Sequence, residues 1–165
     1  MSKIKENSGV LVQGHIKIHD PESGAVFVNK RNAIHYENMS IALAESVANQ
    51  GQGFISSMAF GNGGTSVDPT GIITYLTPNS TGTNASLYNQ TFTKIVDDRS
   101  VSNLDPQRNK IETRHVNGTN YTDVVVTCLL DYGEPNGQDA TDTASASDSL
   151  YVFDELGLTS YASSG

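Results

Sequence analysis

The sequence predicts a mainly β (α+β) protein: an antiparallel, β-sandwich-like core, one helix packed on it, and long polar loops. Three observations carry this expectation. Gly, Ser, Thr and Asn supply 62 of the 165 residues, a composition of strands and turns rather than of helical bundles. Charged residues amount to 17% of the chain, against about 25% in an average soluble domain, so the Lys and Glu of helix surfaces are scarce. Apolar clusters recur along the whole length, which together with the low charge density excludes a disordered polypeptide. The length suits one β-rich domain, 1–165, better than two.

Each element has its own signal. Residues 9–19 end in Ile16 and Ile18 alternating with His15, Lys17 and His19, the pattern of a strand with one wet face. Asp20-Pro21-Glu22-Ser23-Gly24 follows as a turn, and Ala25 to Val28 returns as the second strand of a hairpin. The helix is expected over about 38–50. Asn32 or Asn38 would cap its start, Gly51 and Gly53 would end it, and Leu43 and Val47 would cover the sheet. Phe54 to Phe60 reads as a buried strand ending in the loop Gly61-Asn62-Gly63-Gly64-Thr65, whose backbone is expected to need conformations that only glycine tolerates.

Further strands are expected near 72–76, 87–95 and 110–116. The strongest is expected at Val124 to Tyr132, and a last one at Leu150 to Phe153. Val124 to Leu130 and Leu150 to Phe153 are expected to anchor the sheet. Two polar excursions, 97–123 and 133–149, are longer than compact domains usually carry. Either they are floppy in isolation or neighbouring subunits order them.

Charge is distributed unevenly. Residues 1–114 balance ten acids with ten bases, whereas 115–165 hold eight acids and no Lys or Arg. Such an anionic end would be repelled by phosphate backbones and anionic membranes, so neither nucleic acid nor membrane is expected as a partner. One cysteine, Cys128, excludes an intrachain disulfide and reads as a buried strand residue. The first residues lack the apolar stretch of a signal peptide, so the N-x-S/T sites at Asn38, Asn79, Asn84, Asn89, Asn117 and Asn120 read as a by-product of Asn and Thr abundance.

Reactive constellations are weak. His15 and His19 would lie about 13 Å apart on one strand face, too far to share a metal alone. The 61–65 loop lacks the Lys-Ser/Thr of a phosphate-binding loop. The acids from Asp131 to Asp142 miss the spacing of a calcium loop, because Gly133 and Pro135 fall at ligand positions. Asp97-Asp98 and Asp154-Glu155 are adjacent pairs, which in a strand point to opposite faces. No catalytic residue, metal ligand or cofactor is assigned.

Laid out in order, the chain shows a hairpin and then Asn32-Ala33-Ile34-His35-Tyr36-Glu37-Asn38 leading an alanine-rich helix. The strand that follows ends in Met58-Ala59-Phe60-Gly61-Asn62-Gly63-Gly64-Thr65, and Leu150-Tyr151-Val152-Phe153-Asp154-Glu155-Leu156-Gly157-Leu158 closes the chain. This resembles small virion structural proteins of tailed bacteriophages, of the tail, baseplate or fibre-associated type. In them an Asn-led helix precedes a strand ending in an hGxGxT-type loop, and an (F/N)-x-E-x-G-L strand closes the sandwich. The likeness spans 29–76 and 150–158.

The resemblance implies a non-enzymatic assembly protein, a tail or baseplate component that is homo-oligomeric within the virion and assembled in the host cytoplasm. Its partners would be copies of itself and other virion proteins. Gly61, Asn62, Gly63, Gly64, Thr65, Asp139 and Asp142 would make the contacts. A capsid decoration or neck protein would share the composition. Two other classes remain open: a glycan-binding (receptor-binding) module using Tyr75, Tyr88, Tyr121 and Tyr132, and a hydrolase using His15, His35 and His115.

Overall fold

The computed structural model describes residues 9–50, 53–80, 85–132, 134 and 153–160. The element order is β1 (Gly14–His19), β2 (Val26–Asn32), α1 (Tyr36–Ala48), β3 (Ile55–Gly61), β4 (Thr65–Val67), β5 (Ile73–Tyr75), β6 (Gln90–Ile95), β7 (Lys110–His115), β8 (Thr122–Thr127) and β9 (Glu155–Ser160). The fold is mainly β with a single helix, as the composition implies. Its strands form four antiparallel sheets: β6-β3-β9, and the two-stranded pairs β1-β2, β4-β5 and β7-β8.

Among the described residues, the apolar core lies on the three-stranded sheet and its flanks. Met58 pairs with Lys94 on one side and Leu158 on the other, and Phe60 pairs with Phe92 and Leu156. Among the described residues the buried apolar side chains are Ala59, Phe60 and Val96. Phe60 lies 5.9 Å from Phe92 and 5.1 Å from Phe153, ring centre to ring centre, so three strands or their flanks contribute to one aromatic cluster. Beyond the area buried, such ring pairs are each worth about 0.5–1.5 kcal/mol. A strand that the sequence did not single out lies at Glu155–Ser160, directly after Phe153 and Asp154; of the strand expected at Leu150 to Phe153, Leu150 to Val152 lie outside the described residues.

β8 is shorter than expected and stops at Thr127. It pairs with β7 and lies outside the central sheet, so Val124 to Leu130 do not anchor that sheet. The hairpin has a reason of its own to form. Glu112 receives Lys110 at 3.3 Å and Arg114 at 3.0 Å on one face, while Ile111 pairs with Val126 on the other. β4 was not foreseen. Three residues flanked by loop chemistry carry too short an alternation to be read, and the strand exists by pairing with β5.

The helix spans Tyr36–Ala48, and its N-cap is His35 rather than Asn32 or Asn38. His35 Nδ1 accepts the Asn38 amide at 3.2 Å, doing the work of a capping oxygen. At the other end Asn49 adopts the left-handed conformation, φ 52°, and its amide reaches the carbonyls of Glu45 and Ser46. Gly53 acts differently from a helix stop: a Cβ there would lie 2.5 Å from the Ala42 carbonyl oxygen, so glycine lets the chain return against the helix. No helix residue is buried. Val47 is 89% exposed and Leu43 is exposed as well, so this side of the helix faces outward and does not cover a sheet. No helix among the described residues is long and apolar enough to cross a membrane.

The excursion expected at 97–123 is partly built structure. Residues 97–109 wind around two buried asparagines. Asn103 Nδ2 donates to the carbonyls of Asp97 (3.1 Å) and Asn109 (2.8 Å). Asn109 is 1% exposed; its Oδ1 accepts the Leu129 amide at 2.8 Å and its Nδ2 donates to the Asp105 carbonyl at 3.2 Å. These amide side chains tie the segment together through backbone groups, supplying the Leu129 amide with its acceptor and adding a donor to the Asp97 and Asp105 carbonyls that backbone amides already reach. The second excursion, 133–149, lies outside the described residues apart from Glu134.

Candidate functional site

The 61–65 loop, at the end of the central strand, is the best-built of the sequence-predicted site regions. Two carboxylates hold it. Glu155 Oε1 accepts the amides of Gly63 (2.7 Å) and Asn89 (3.0 Å), and Oε2 accepts that of Tyr88 (2.6 Å). Asp154 Oδ1 accepts the Gly64 amide at 2.9 Å, and its other oxygen accepts the Thr65 hydroxyl. The Asp154 amide donates back to the Gly61 carbonyl at 3.0 Å. Asn62 donates its amide to the Asn89 carbonyl at 3.1 Å, and the two side-chain amides also bond.

The glycines are required by space. A Cβ on Gly61 would lie 2.5 Å from the Asn89 carbonyl oxygen, one on Gly63 2.7 Å from the Asn89 nitrogen, and one on Gly64 2.7 Å from Glu155 Cγ. The described glycines with positive φ are Gly24, Gly71 and Gly118, none of them in this loop. The expectation of a glycine-only backbone conformation at 61–64 is therefore corrected: close approach, not dihedral freedom, selects glycine there. Each carboxylate replaces the water that three or two polar hydrogens would otherwise need, and charge-assisted bonds of this kind are the stronger class.

The sequence did not reveal that Asp154 and Glu155 belong to this loop. As neighbours in a strand they would diverge, but Asp154 precedes β9, so both side chains address the same five residues. The available signal was the Phe153-x-Glu155-x-Gly157 spacing. Phe153 enters the aromatic cluster, Glu155 holds the loop, and Gly157 leaves room for Leu87, whose Cδ2 would be 3.3 Å from a Cβ. Asp139 and Asp142 lie outside the described residues.

The remaining candidates have local work. His15 Nε2 lies 2.6 Å from Asn29 Oδ1, His35 caps the helix, and His115 Nδ1 lies 3.1 Å from the Tyr121 carbonyl and 3.0 Å from Thr122 Oγ1. Tyr88 donates its hydroxyl to the Thr77 carbonyl at 2.7 Å, while Tyr75, Tyr121 and Tyr132 stand exposed on separate segments. A shallow cleft lies between the end of the helix and the start of β3, lined by Glu45, Asn49, Phe54, Asp97 and Arg99 among others. Arg99 sits over one face of the Phe54 ring, 5.5 Å from its centre.

Asp131 and Glu134, the described acids of the 131–142 stretch, both face cations: Arg108 lies 3.4 Å from Asp131, and Glu134 pairs with Lys94. Burial alone would push the Glu134 carboxyl up. The Lys94 hydrogen bond, the Asp131 amide and the Lys94 charge outweigh that and hold it below its ordinary value. Burial pushes the Cys128 thiol up to about 11, so it is a poor nucleophile. Among the described residues no group of three or more His, Cys, Asp or Glu side chains is arranged to hold a metal ion.

Comparison of the chain with protein-family models, with curated proteins and with solved structures finds no match.

Proposed function

We propose that the chain is a non-enzymatic structural protein of a tailed-bacteriophage particle, a tail or baseplate component whose work is contact between subunits. The observation that carries this reading is the amount of apolar surface left uncovered beside a core that, among the described residues, has three buried apolar side chains. Phe27 is 69% exposed, Val101 99%, Leu104 96% and Tyr132 90%, and Val67, Ile72, Ile73 and Tyr75 are exposed together on the β4-β5 hairpin and its turn. Scattered exposed apolar residues are ordinary, but clusters on successive elements mark surfaces that partners cover.

Isolated two-stranded hairpins are marginal in water. Three of them, each with exposed apolar side chains, gain most from repeated neighbours, because many modest contacts add up across a symmetric particle. The clamp supports the same reading: the loop motif and the closing motif that carry the phage resemblance bond to each other through Gly63–Glu155 and Gly64–Asp154. The test is immunogold labelling of intact particles with antibody to the chain, followed by a particle reconstruction. Density for this fold at the tail or baseplate supports the proposal. Density on the head or neck would move the station to decoration or collar, and absence from particles would end it.

A further inference from the structure

Among the described residues Asn-Gly occurs at Asn62-Gly63 and at Asn117-Gly118, in opposite surroundings. In this dipeptide the main-chain amide most easily reaches the preceding side-chain carbonyl, because glycine has no side chain to hinder the approach. The first pair is held. Gly63 donates its amide to Glu155 Oε1 at 2.7 Å, and Asn62 Oδ1 accepts the Asn89 side-chain amide. The space around Gly63 is filled, with the Asn89 nitrogen 2.7 Å and Tyr88 Cβ 2.8 Å from where a Cβ would stand. A carboxylate that receives the Gly63 N–H also disfavours loss of that proton.

The second pair is open. Asn117 and Gly118 are exposed on the tip that joins β7 to β8, and a Cβ on Gly118 would meet nothing within 4 Å. Among the described residues no hydrogen bond engages the Asn117 side chain or the Gly118 amide. The bonds that hold the tip are made around them: Thr119 donates its amide (3.1 Å) and its hydroxyl (2.7 Å) to the Val116 carbonyl. A third pair, Asn136-Gly137, lies outside the described residues.

Independently of the assembly reading, we propose that Asn117 is a site of spontaneous covalent modification, deamidating to aspartate and isoaspartate, and that the Glu155 clamp keeps Asn62 from the same reaction. The Gly118 nitrogen gives its proton to solvent base and attacks Asn117 Cγ. The new C–N bond closes a succinimide ring as the Cγ–Nδ2 bond breaks, and Nδ2 takes a solvent proton and leaves as ammonia. Water then opens the ring. Attack at the carbonyl that came from the side chain gives aspartate, and attack at the main-chain carbonyl gives isoaspartate, with the chain routed through Cβ and Cγ. Either product adds one negative charge to a chain of net −8, and the second also lengthens the β7-β8 connection.

The test is peptide mapping of the folded full chain, kept warm in mildly alkaline buffer. Fragmentation localises each mass gain, and an isoaspartyl methyltransferase with labelled methyl donor probes for isoaspartate. Asn117 should convert at least about tenfold faster than Asn62, the slowing expected where reaction waits on a local opening that costs about 1.4 kcal/mol or more. Glu155→Gln should release Asn62 and leave the Asn117 rate unchanged. Gly118→Asn should slow Asn117 by about tenfold, since a side chain then hinders the attacking nitrogen. In the parent unfolded in guanidinium the two pairs should convert at comparable rates, which tests the clamp even if Glu155→Gln fails to fold. An Asn117 no faster than Asn62 in the folded chain, or without isoaspartate, overturns the modification site. An Asn62 that stays slow in the unfolded chain overturns the protective role of Glu155.

Discussion

Glu155 accepts the backbone amide of Gly63 at 2.7 Å across 92 residues of chain, and the same carboxylate takes the amides of Tyr88 and Asn89. Three segments distant in sequence are thereby tied to one side chain. In Glu155→Gln one oxygen becomes an NH₂ group turned toward an amide donor. The variant should lose about 2–3 kcal/mol in urea denaturation, the usual range for removing charge-assisted bonds and stranding their donors. Hydrogen exchange at Gly63, Tyr88 and Asn89 should accelerate together. Unchanged exchange at these amides would show that the carboxylate does not hold the loop.

Glycine is needed for different reasons at Gly63 and at Gly118. A Cβ at Gly63 would strike the Asn89 backbone at 2.7 Å, whereas Gly118 has open space around it and φ of +88°. Gly63→Ala should therefore cost about 2–3 kcal/mol through overpacking. Gly118→Asn should cost less than about 1 kcal/mol, because Asn tolerates the left-handed region. Thermal melts of the two variants check the contrast, and equal losses would contradict it.

Asn109 serves as a core residue made of hydrogen bonds. Asn109→Ala leaves the Leu129 amide without its acceptor, while the Asp105 carbonyl keeps the Asn109 and Arg108 backbone amides, and should cost about 1–3 kcal/mol. Val101→Ala, in the same segment but 99% exposed, should leave the unassembled chain's stability unchanged within about 0.5 kcal/mol. Urea titrations of both variants measure the difference.

Glu134 gives the fold an acid-sensitive tie. Its carboxyl is held below its ordinary value of 4.5 despite the opposing effect of burial, chiefly by Lys94. A depressed carboxyl stabilises fully above the unfolded value and loses that contribution as pH falls below about 4.5 and through the folded value. Glu134→Gln should be less stable than the parent at pH 7, and the gap should close progressively as pH falls below about 4.5. A gap independent of pH would show that the ion pair contributes nothing.

Most strands were legible because alternation and turn chemistry are local. Ile16 and Ile18 against His15, Lys17 and His19 placed β1, and Asp20 to Gly24 placed its turn. Gly24 does adopt φ of +73°, and its amide bonds to the Asp20 carbonyl. The misplacements occurred where a long-range partner decides. Cys128 to Leu130 are as apolar as any strand, yet the Leu129 amide goes to the Asn109 side chain and the ladder ends at Thr127. Glu155 to Ser160 carry a weak local strand signal and become a strand because β3 is there to pair with. At the candidate site the loop was visible as a glycine cluster. Its partners were not, since nothing local in Asp154-Glu155 says that both carboxylates will face residues some 90 positions away.

The central claim is that copies of the chain supply the cover that its own core does not. Hydrogen exchange on the dilute single chain and on its assembled form measures this directly. The account predicts fast exchange of the β1-β2 and β4-β5 hairpin amides in the dilute chain and strong protection after assembly, with β3 protected in both. Hairpin amides already as protected as those of β3 in a dilute monomer, and unchanged at high concentration, would contradict it.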